Sequence, residues 1–84
     1  MGVLKDNLMN EKELLKKMGA RIKEVRTSKG VSQQELAVEA FDTDKSNISR
    51  LESGRVNASI YTLYKVAQYL KVPLTDIVDF EDTE

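Results

Sequence analysis

Apolar residues recur every three or four positions along most of this chain, the spacing that places them on one face of an α-helix. Polar or glycine-containing segments separate these runs, and most runs are preceded by a side chain that can cap a helix. The pattern therefore predicts an all-α protein with helices over residues 11–28, 33–40, 45–53, 60–70 and 74–79.

Residues at the ends of the predicted helices support these bounds. The expected N-cap residues are Asn10, Ser32, Asp44 and Ser59. Glu13 and Glu35 follow the first two caps by three residues, so each is expected to bond back to its cap as in a capping box. Gly30 and Gly54 are natural stops for the first and third helices.

The inward faces of these helices are expected to form one hydrophobic core. The apolar stripe of the fourth helix comprises Ile60, Leu63, Val66, Ala67 and Leu70. Ile48 and Leu51 face inward from the third helix, and Ile77 and Val78 are expected to do so from the fifth.

The opposite side of the third helix is polar. Lys45, Ser46, Ser49 and Arg50 share one helical face, and Asn47 lies beside them. Such side chains contribute little to a core but are well suited to hydrogen bonds with base edges and phosphates. We interpret the second and third helices as a helix-turn-helix, with residues 45–53 entering the major groove of DNA.

Composition limits the function classes that the chain can serve. Its 84 residues correspond to one small domain. The sequence has no cysteine and no histidine, which excludes thiolate metal sites and removes the commonest general base. No cofactor is therefore expected, and an enzyme is disfavoured. Apolar runs never exceed three residues and no secretory signal is present, so a cytoplasmic protein without a membrane span is expected.

Charge is distributed unevenly along the chain. The net charge is −1, which is unusual for a protein that binds a polyanion. Five acids and no base follow residue 72, whereas residues 1–72 hold thirteen bases against nine acids, a balance of +4. A basic body with an acidic tail is compatible with moderate, salt-sensitive binding to nucleic acid.

Three segments in this order resemble the phage repressor and Cro type of helix-turn-helix regulator, the XRE-like family. They are SQQELA at residues 32–37, SNISRLESG at 46–54 and SIYTLYKVAQYLKVPLTDI at 59–77. The resemblance covers roughly residues 18–79. It implies a compact five-helix bundle that binds operator DNA, usually a palindrome, as a homodimer. One departure is the turn at Phe41-Asp42-Thr43, which is one residue longer than usual and lacks the usual glycine.

The resemblance also implies roles for individual residues. Gln33 would contact a phosphate or buttress the third helix, and Gln34 is a further candidate for DNA contact. The residues expected to face the bases are Lys45, Ser46, Ser49 and Arg50, with Asn47 near a base or the backbone. Arg55 and Asn57 would hold phosphates. Arg26 and Glu52 match a structural ion pair rather than DNA contacts.

A homodimer surface is expected from the tyrosines of the fourth helix and apolar residues near the C-terminus. Its candidate residues are Tyr61, Tyr64, Tyr69, Ile77, Val78 and Phe80. The alternative for the tyrosines is packing within the monomer, with the rings inside and the hydroxyls in water. Residues 1–10 are read as an N-terminal extension, 11–79 as the DNA-binding domain and 80–84 as an acidic tail. The alternative to a dimeric repressor or operon controller is an antitoxin-like subunit that neutralises a toxin through its termini and also binds its operator.

Overall fold

The computed structural model describes residues 9–79, which form an all-α fold of five helices joined by short loops. The helices are α1 (Glu11–Ser28), α2 (Gln33–Phe41), α3 (Lys45–Glu52), α4 (Ile60–Leu70) and α5 (Leu74–Val78). The predicted fold class is confirmed, and every predicted boundary lies within one residue of the observed one. Phe80, the acidic tail and most of the N-terminal extension lie outside the described residues.

Side-chain caps begin the first four helices, as the sequence predicts. Asn10 and Glu13 form the complete capping box: the Glu13 backbone N–H donates to Asn10 Oδ1 at 2.8 Å, and the Asn10 N–H donates to Glu13 Oε1 at 3.1 Å. Ser32 caps α2 by accepting from the backbone N–H of Glu35. The reciprocal bond predicted for Glu35 is wrong, because its carboxylate accepts from the Tyr69 hydroxyl on α4 at 2.8 Å instead.

One core unites the bundle. Ile22, Leu36, Val66 and Ile77, one from each of α1, α2, α4 and α5, are fully buried at its centre. α3 adds Ile48 and Leu51, as predicted, and these two residues hold it against α1 and α2. The inner side of α3, the helix proposed to read DNA, is therefore part of the core.

Three expectations about apolar residues are wrong. Ile60 and Val78, both expected to face inward, are 66% and 40% exposed, and they are the first residue of α4 and the last residue of α5. Ile77 was assigned to a dimer surface, but it is fully buried within this chain and has no surface to offer a partner.

Asp42 explains how the longer turn between α2 and α3 works without glycine. It adopts the left-handed conformation, with φ 52° and ψ 46°. Its N–H donates to the Val38 carbonyl at 3.2 Å, and the next N–H, that of Thr43, donates to the Ala37 carbonyl at 3.1 Å. Asp tolerates this conformation better than most residues, because its short polar side chain can bond locally. The additional residue lengthens α2 to Phe41 and leaves the turn closed.

Gly19 lets α1 approach the end of α3 at backbone distance. A Cβ built on Gly19 would lie 2.3 Å from the Glu52 carbonyl oxygen and 2.6 Å from the Leu51 carbonyl oxygen, far inside van der Waals contact. These are backbone atoms, so rotation of a side chain cannot relieve the clash. The position of α3 therefore depends on the missing side chain.

Gly19→Ala should lower the free energy of unfolding by about 1–3 kcal/mol, the usual range for overpacking a core. In a helix without this contact, replacing glycine by alanine would instead raise the free energy of unfolding by about 1 kcal/mol, because alanine has the higher helix propensity. Urea unfolding followed by circular dichroism measures the difference. Stability equal to or above that of the wild type would contradict the close approach.

Candidate nucleic-acid interface

A buried ion pair anchors α3 to α1. Arg26 donates from Nε to Glu52 Oε2 at 2.6 Å and from Nη2 to Glu52 Oε1 at 3.0 Å. The two residues are only 6% and 8% exposed. The pair that the family resemblance implies is therefore present, and its bidentate geometry is the arrangement in which guanidinium and carboxylate match best.

Gln33 and the loop before α2 complete this anchor. The Gln33 side-chain amide donates to Glu52 Oε1 at 3.0 Å, and Arg26 donates from Nη1 to the Val31 carbonyl at 2.8 Å. The resemblance implies that Gln33 either contacts a phosphate or supports α3. The bond to Glu52 is a contact that supports α3. One network thus ties α1, α2 and α3 together.

The outer face of α3 is open. Lys45, Ser46, Asn47 and Arg50 are exposed, and Ser49 is half-buried where the face curves toward the core. On α2, Gln34 is exposed and Gln33 half-buried. The residues predicted to face the bases are therefore available to another molecule, while Ile48 and Leu51 on the same helix are buried.

Asp44 places a fixed negative charge at the N-terminus of this helix. Its carboxylate accepts from the backbone N–H of Ser46 at 3.0 Å and from the Ser46 hydroxyl. The Ser46 hydroxyl bond is the main reason that the pKa of Asp44 lies below its usual value, with help from the backbone bond. The Ser46 hydroxyl therefore already donates a hydrogen bond within the chain. The lowered pKa means that Asp44 stays ionised at neutral pH.

Asn47 links Arg50 to the turn that precedes α3. Its Nδ2 donates to the Thr43 hydroxyl, and its Oδ1 accepts from Arg50 Nη2 at 2.7 Å. Thr43 was not identified from the sequence as a candidate. Thr43 precedes the Asp44 cap and lies outside α3, so the turn and not helical spacing brings it to Asn47, and no local signal indicates the contact.

The loop after α3 carries the predicted phosphate contacts. Arg55 and Asn57 are both exposed. Arg55 donates from Nε to the Ser53 hydroxyl at 3.0 Å, and the Asn57 amide donates to Glu11 Oε2 at 3.0 Å. Arg55 keeps its charge at the surface, whereas Asn57 lies beside a carboxylate that would repel a phosphate.

Aromatic side chains cluster on the exposed face of α4. Tyr61 and Tyr64 are 64% and 46% exposed, and their rings stack with centroids 6.2 Å apart. Lys65 Nζ lies 4.8 Å from the Phe41 ring centroid and 5.7 Å from that of Tyr61, which is cation–π geometry. Ile60 is also exposed and lies one and four residues before Tyr61 and Tyr64 on α4.

Tyr69 differs from the other two tyrosines. It is half-buried and packs against the core. The hydrogen bond to the Glu35 carboxylate is the main cause that raises the pKa of Tyr69 above its usual value. This hydroxyl joins α4 to α2 within one chain, so Tyr69 has a role inside the monomer.

Within residues 9–79, no group of acidic side chains is arranged to hold a metal ion. No helix in this part of the chain is both long and apolar enough to cross a bilayer.

Comparison with known proteins identifies relatives of similar size. A family model described as Helix-turn-helix matches residues 22–77. Two proteins of Archaeoglobus fulgidus, each named an uncharacterized HTH-type transcriptional regulator, are 34% identical to the chain over 67 residues. The matches cover 80% of this chain and 94% and 93% of the two relatives.

Two solved structures share the fold. The restriction-modification controller protein C.AhdI from Aeromonas hydrophila superposes with a TM-score of 0.69 at 35% identity, over 75% of this chain and 90% of that one. A hypothetical transcription factor, NHTF from Neisseria, superposes with a TM-score of 0.72 at 28% identity, over 86% and 82% of the two chains.

Glu52→Gln should lower the free energy of unfolding by about 3–5 kcal/mol, because it leaves the buried Arg26 guanidinium without a counter-charge. Glu24→Gln is the matched control. It removes the same charge from an ion pair with Arg21 in which the Glu24 side chain is 70% exposed, so the expected loss is at most about 1 kcal/mol. Equal losses for the two variants, measured by urea unfolding, would contradict a stabilising role of the buried pair.

Proposed function

The chain belongs to the helix-turn-helix family, and from that premise we propose that it is a sequence-specific regulator of transcription that binds double-stranded DNA. In this proposal α3 enters the major groove. The observation that carries it is the two-sidedness of α3: Ile48 and Leu51 are buried in the core, while Lys45, Asn47 and Arg50 are exposed on the outer face. The names of the relatives and of the solved neighbours support the same function class.

The dimensions of α3 suit the proposed docking. An α-helix with its side chains is about 10–12 Å in diameter, close to the width of the major groove at about 12 Å. The eight residues of α3 extend about 12 Å along the helix axis, which gives more than two turns for contact. The buried network of Arg26, Glu52 and Gln33 holds the C-terminal end of α3 against α1 and α2. A helix held in this way can present its side chains to base edges without having to order itself on binding, which lowers the entropic cost of recognition.

The exposed residues divide into two kinds of contact. Lys45, Ser46, Ser49 and Arg50 are proposed to reach base edges, because they lie on or beside the outer face of α3. Arg55 is proposed to hold a phosphate and Gln34 to contact the backbone from the start of α2. Asn57 is the weakest of the predicted contacts, since its amide is already bonded to Glu11.

We propose further that the protein acts as a homodimer on a palindromic operator in the cytoplasm, as a repressor or operon controller. The exposed Ile60, Tyr61 and Tyr64 on α4 support a dimer, because aromatic side chains are enriched at interfaces and the core of an interface is more apolar than the rest of the surface. The restriction-modification controller role named for C.AhdI is one form that such regulation takes.

Selection of binding sites from random duplex DNA tests the proposed function. The expected result is a two-fold symmetric motif whose half-sites are centred about 10 base pairs, or a multiple of this, apart. A selection that enriches no sequence would overturn it.

Arg55→Ala should weaken binding to all DNA sequences alike and reduce the salt slope of log K by about one, as expected when one phosphate contact is lost. Binding is measured by fluorescence anisotropy from about 50 to 200 mM salt. Lys23→Ala is the control, since it removes an exposed cation from α1, outside the candidate interface, and should leave the slope unchanged. A loss at Arg55 that depends on the operator sequence would refute the phosphate role.

Tyr61→Glu should convert a dimer at micromolar concentration into a monomer of 9.5 kDa in sedimentation equilibrium. The new carboxylate would lie four residues before Lys65, a spacing that supports the helix of the monomer but buries a charge in the proposed interface. Ala20→Glu introduces the same charge at an exposed position of α1 and should leave the dimer intact. A wild-type chain that remains monomeric both free and on DNA would refute the proposed dimer.

A further inference from the structure

Both ends of the Asn47 side-chain amide are engaged within the chain. Nδ2 donates to the Thr43 hydroxyl, and Oδ1 accepts from Arg50 Nη2 at 2.7 Å. We propose that Asn47, held by Thr43, is a positioning residue that aims the Arg50 guanidinium at a guanine and does not itself read a base. This inference rests on the proposed function, because it states which residue of the DNA-reading face contacts a base and which one orients it.

The chemistry of the three groups allows only one orientation of the amide. A guanidinium has donors and no acceptor, so it must face the Asn47 carbonyl oxygen. The amide nitrogen then points to the turn, where the Thr43 hydroxyl oxygen can accept. Because Thr43 lies in the turn closed by Asp42, the orientation of Asn47 is set from outside α3.

Arg50 keeps both its charge and most of its donors in this arrangement. Arg50 belongs to neither the Arg21–Glu24 nor the Arg26–Glu52 ion pair, and its hydrogen-bond partner is a neutral amide. Its charge also helps to lower the pKa of Asp44, after the larger effect of the Ser46 bonds. Only one of its five N–H groups is used, which leaves enough for the paired contact to guanine O6 and N7. An arginine restrained before binding loses less side-chain freedom on contact, so the guanine preference becomes stronger.

Asn47 is correspondingly less suited to direct reading. An asparagine recognises adenine by accepting from N6 and donating to N7 with the two ends of its amide. Each end of the Asn47 amide keeps one further hydrogen-bonding position. To meet adenine with both ends, however, Asn47 would have to turn away from the orientation that the Thr43 and Arg50 bonds hold. The geometry therefore assigns base recognition to Arg50 and orientation to Asn47.

The test compares binding-site selections from random duplex DNA by the wild type, Arg50→Ala, Asn47→Ala, Asn47→Asp and the double variant Asn47→Ala/Arg50→Ala. Arg50→Ala should lose about five- to 150-fold preference for guanine at one position of the half-site. Asn47→Ala should reduce preference at that same position by roughly two- to tenfold, the usual net effect of one hydrogen bond. The double variant should match Arg50→Ala at that position.

Asn47→Asp distinguishes positioning from a structural effect. It retains the acceptor for Arg50, so it should restore the guanine preference while its added charge weakens binding to all sequences. Circular dichroism of each variant verifies the fold; both residues are exposed, so no loss of helix is expected.

Three results would overturn the inference. A change of preference at a different base position in Asn47→Ala would show that Asn47 reads a base. An unchanged selection in that variant, beside an effect of Arg50→Ala, would show that Arg50 needs no positioning. A wild type that selects no sequence would remove the proposed function and this inference with it, whereas the first two results leave the proposed function intact.

Discussion

The bidentate ion pair between Arg26 and Glu52 is the interaction on which the arrangement of the first three helices depends. Burying two charges costs more free energy than their attraction returns unless each is fully hydrogen-bonded, and replacement by apolar residues often does no harm to stability. Here Gln33 and the Val31 carbonyl complete the bonding. The main effect of the pair is therefore on geometry, because its bonds join particular atoms of α1, α2 and α3.

Close backbone contact reinforces that geometry at the same end of α3. Gly19 admits the Glu52 carbonyl against α1, and a Cβ on Gly54 would lie 2.9 Å from the Lys16 backbone. At the opposite end, the Asp44 cap and the left-handed Asp42 fix where α3 begins. The helix is therefore held at both ends and along its inner side, and only its outer face is left free for another molecule.

The helix bounds could be predicted closely because the signals that set them are local. Asn10, Asp44 and Ser59 cap helices through bonds to residues two or three positions away, which the sequence displays directly. Periodicity also identified Ile48 and Leu51 as core residues, because two apolar residues three positions apart lie on the same face of a helix.

Residues whose environment depends on distant elements were harder to predict. Nothing local distinguishes the exposed Ile60 from the buried Leu63, because the difference lies in where the bundle stops covering α4. Glu35 had a suitable partner in Ser32, but Tyr69, 34 residues away, occupies its carboxylate. The bond between Thr43 and Asn47 could not be predicted, because it depends on the turn geometry that Asp42 creates. The direct DNA contacts remain predictions.

The charge of the candidate interface bears on how the proposed regulator would work. Three cations lie along it, Lys45, Arg50 and Arg55, and Asp44 at the start of α3 stays ionised beside them. Each phosphate contact contributes to affinity through release of a counterion, so a face with so few cations supplies little sequence-independent binding. In the proposed dimer, specific affinity comes from base contacts repeated over two half-sites. Under this proposal occupancy of the operator rises steeply with protein concentration, because dimer formation and DNA binding are linked equilibria.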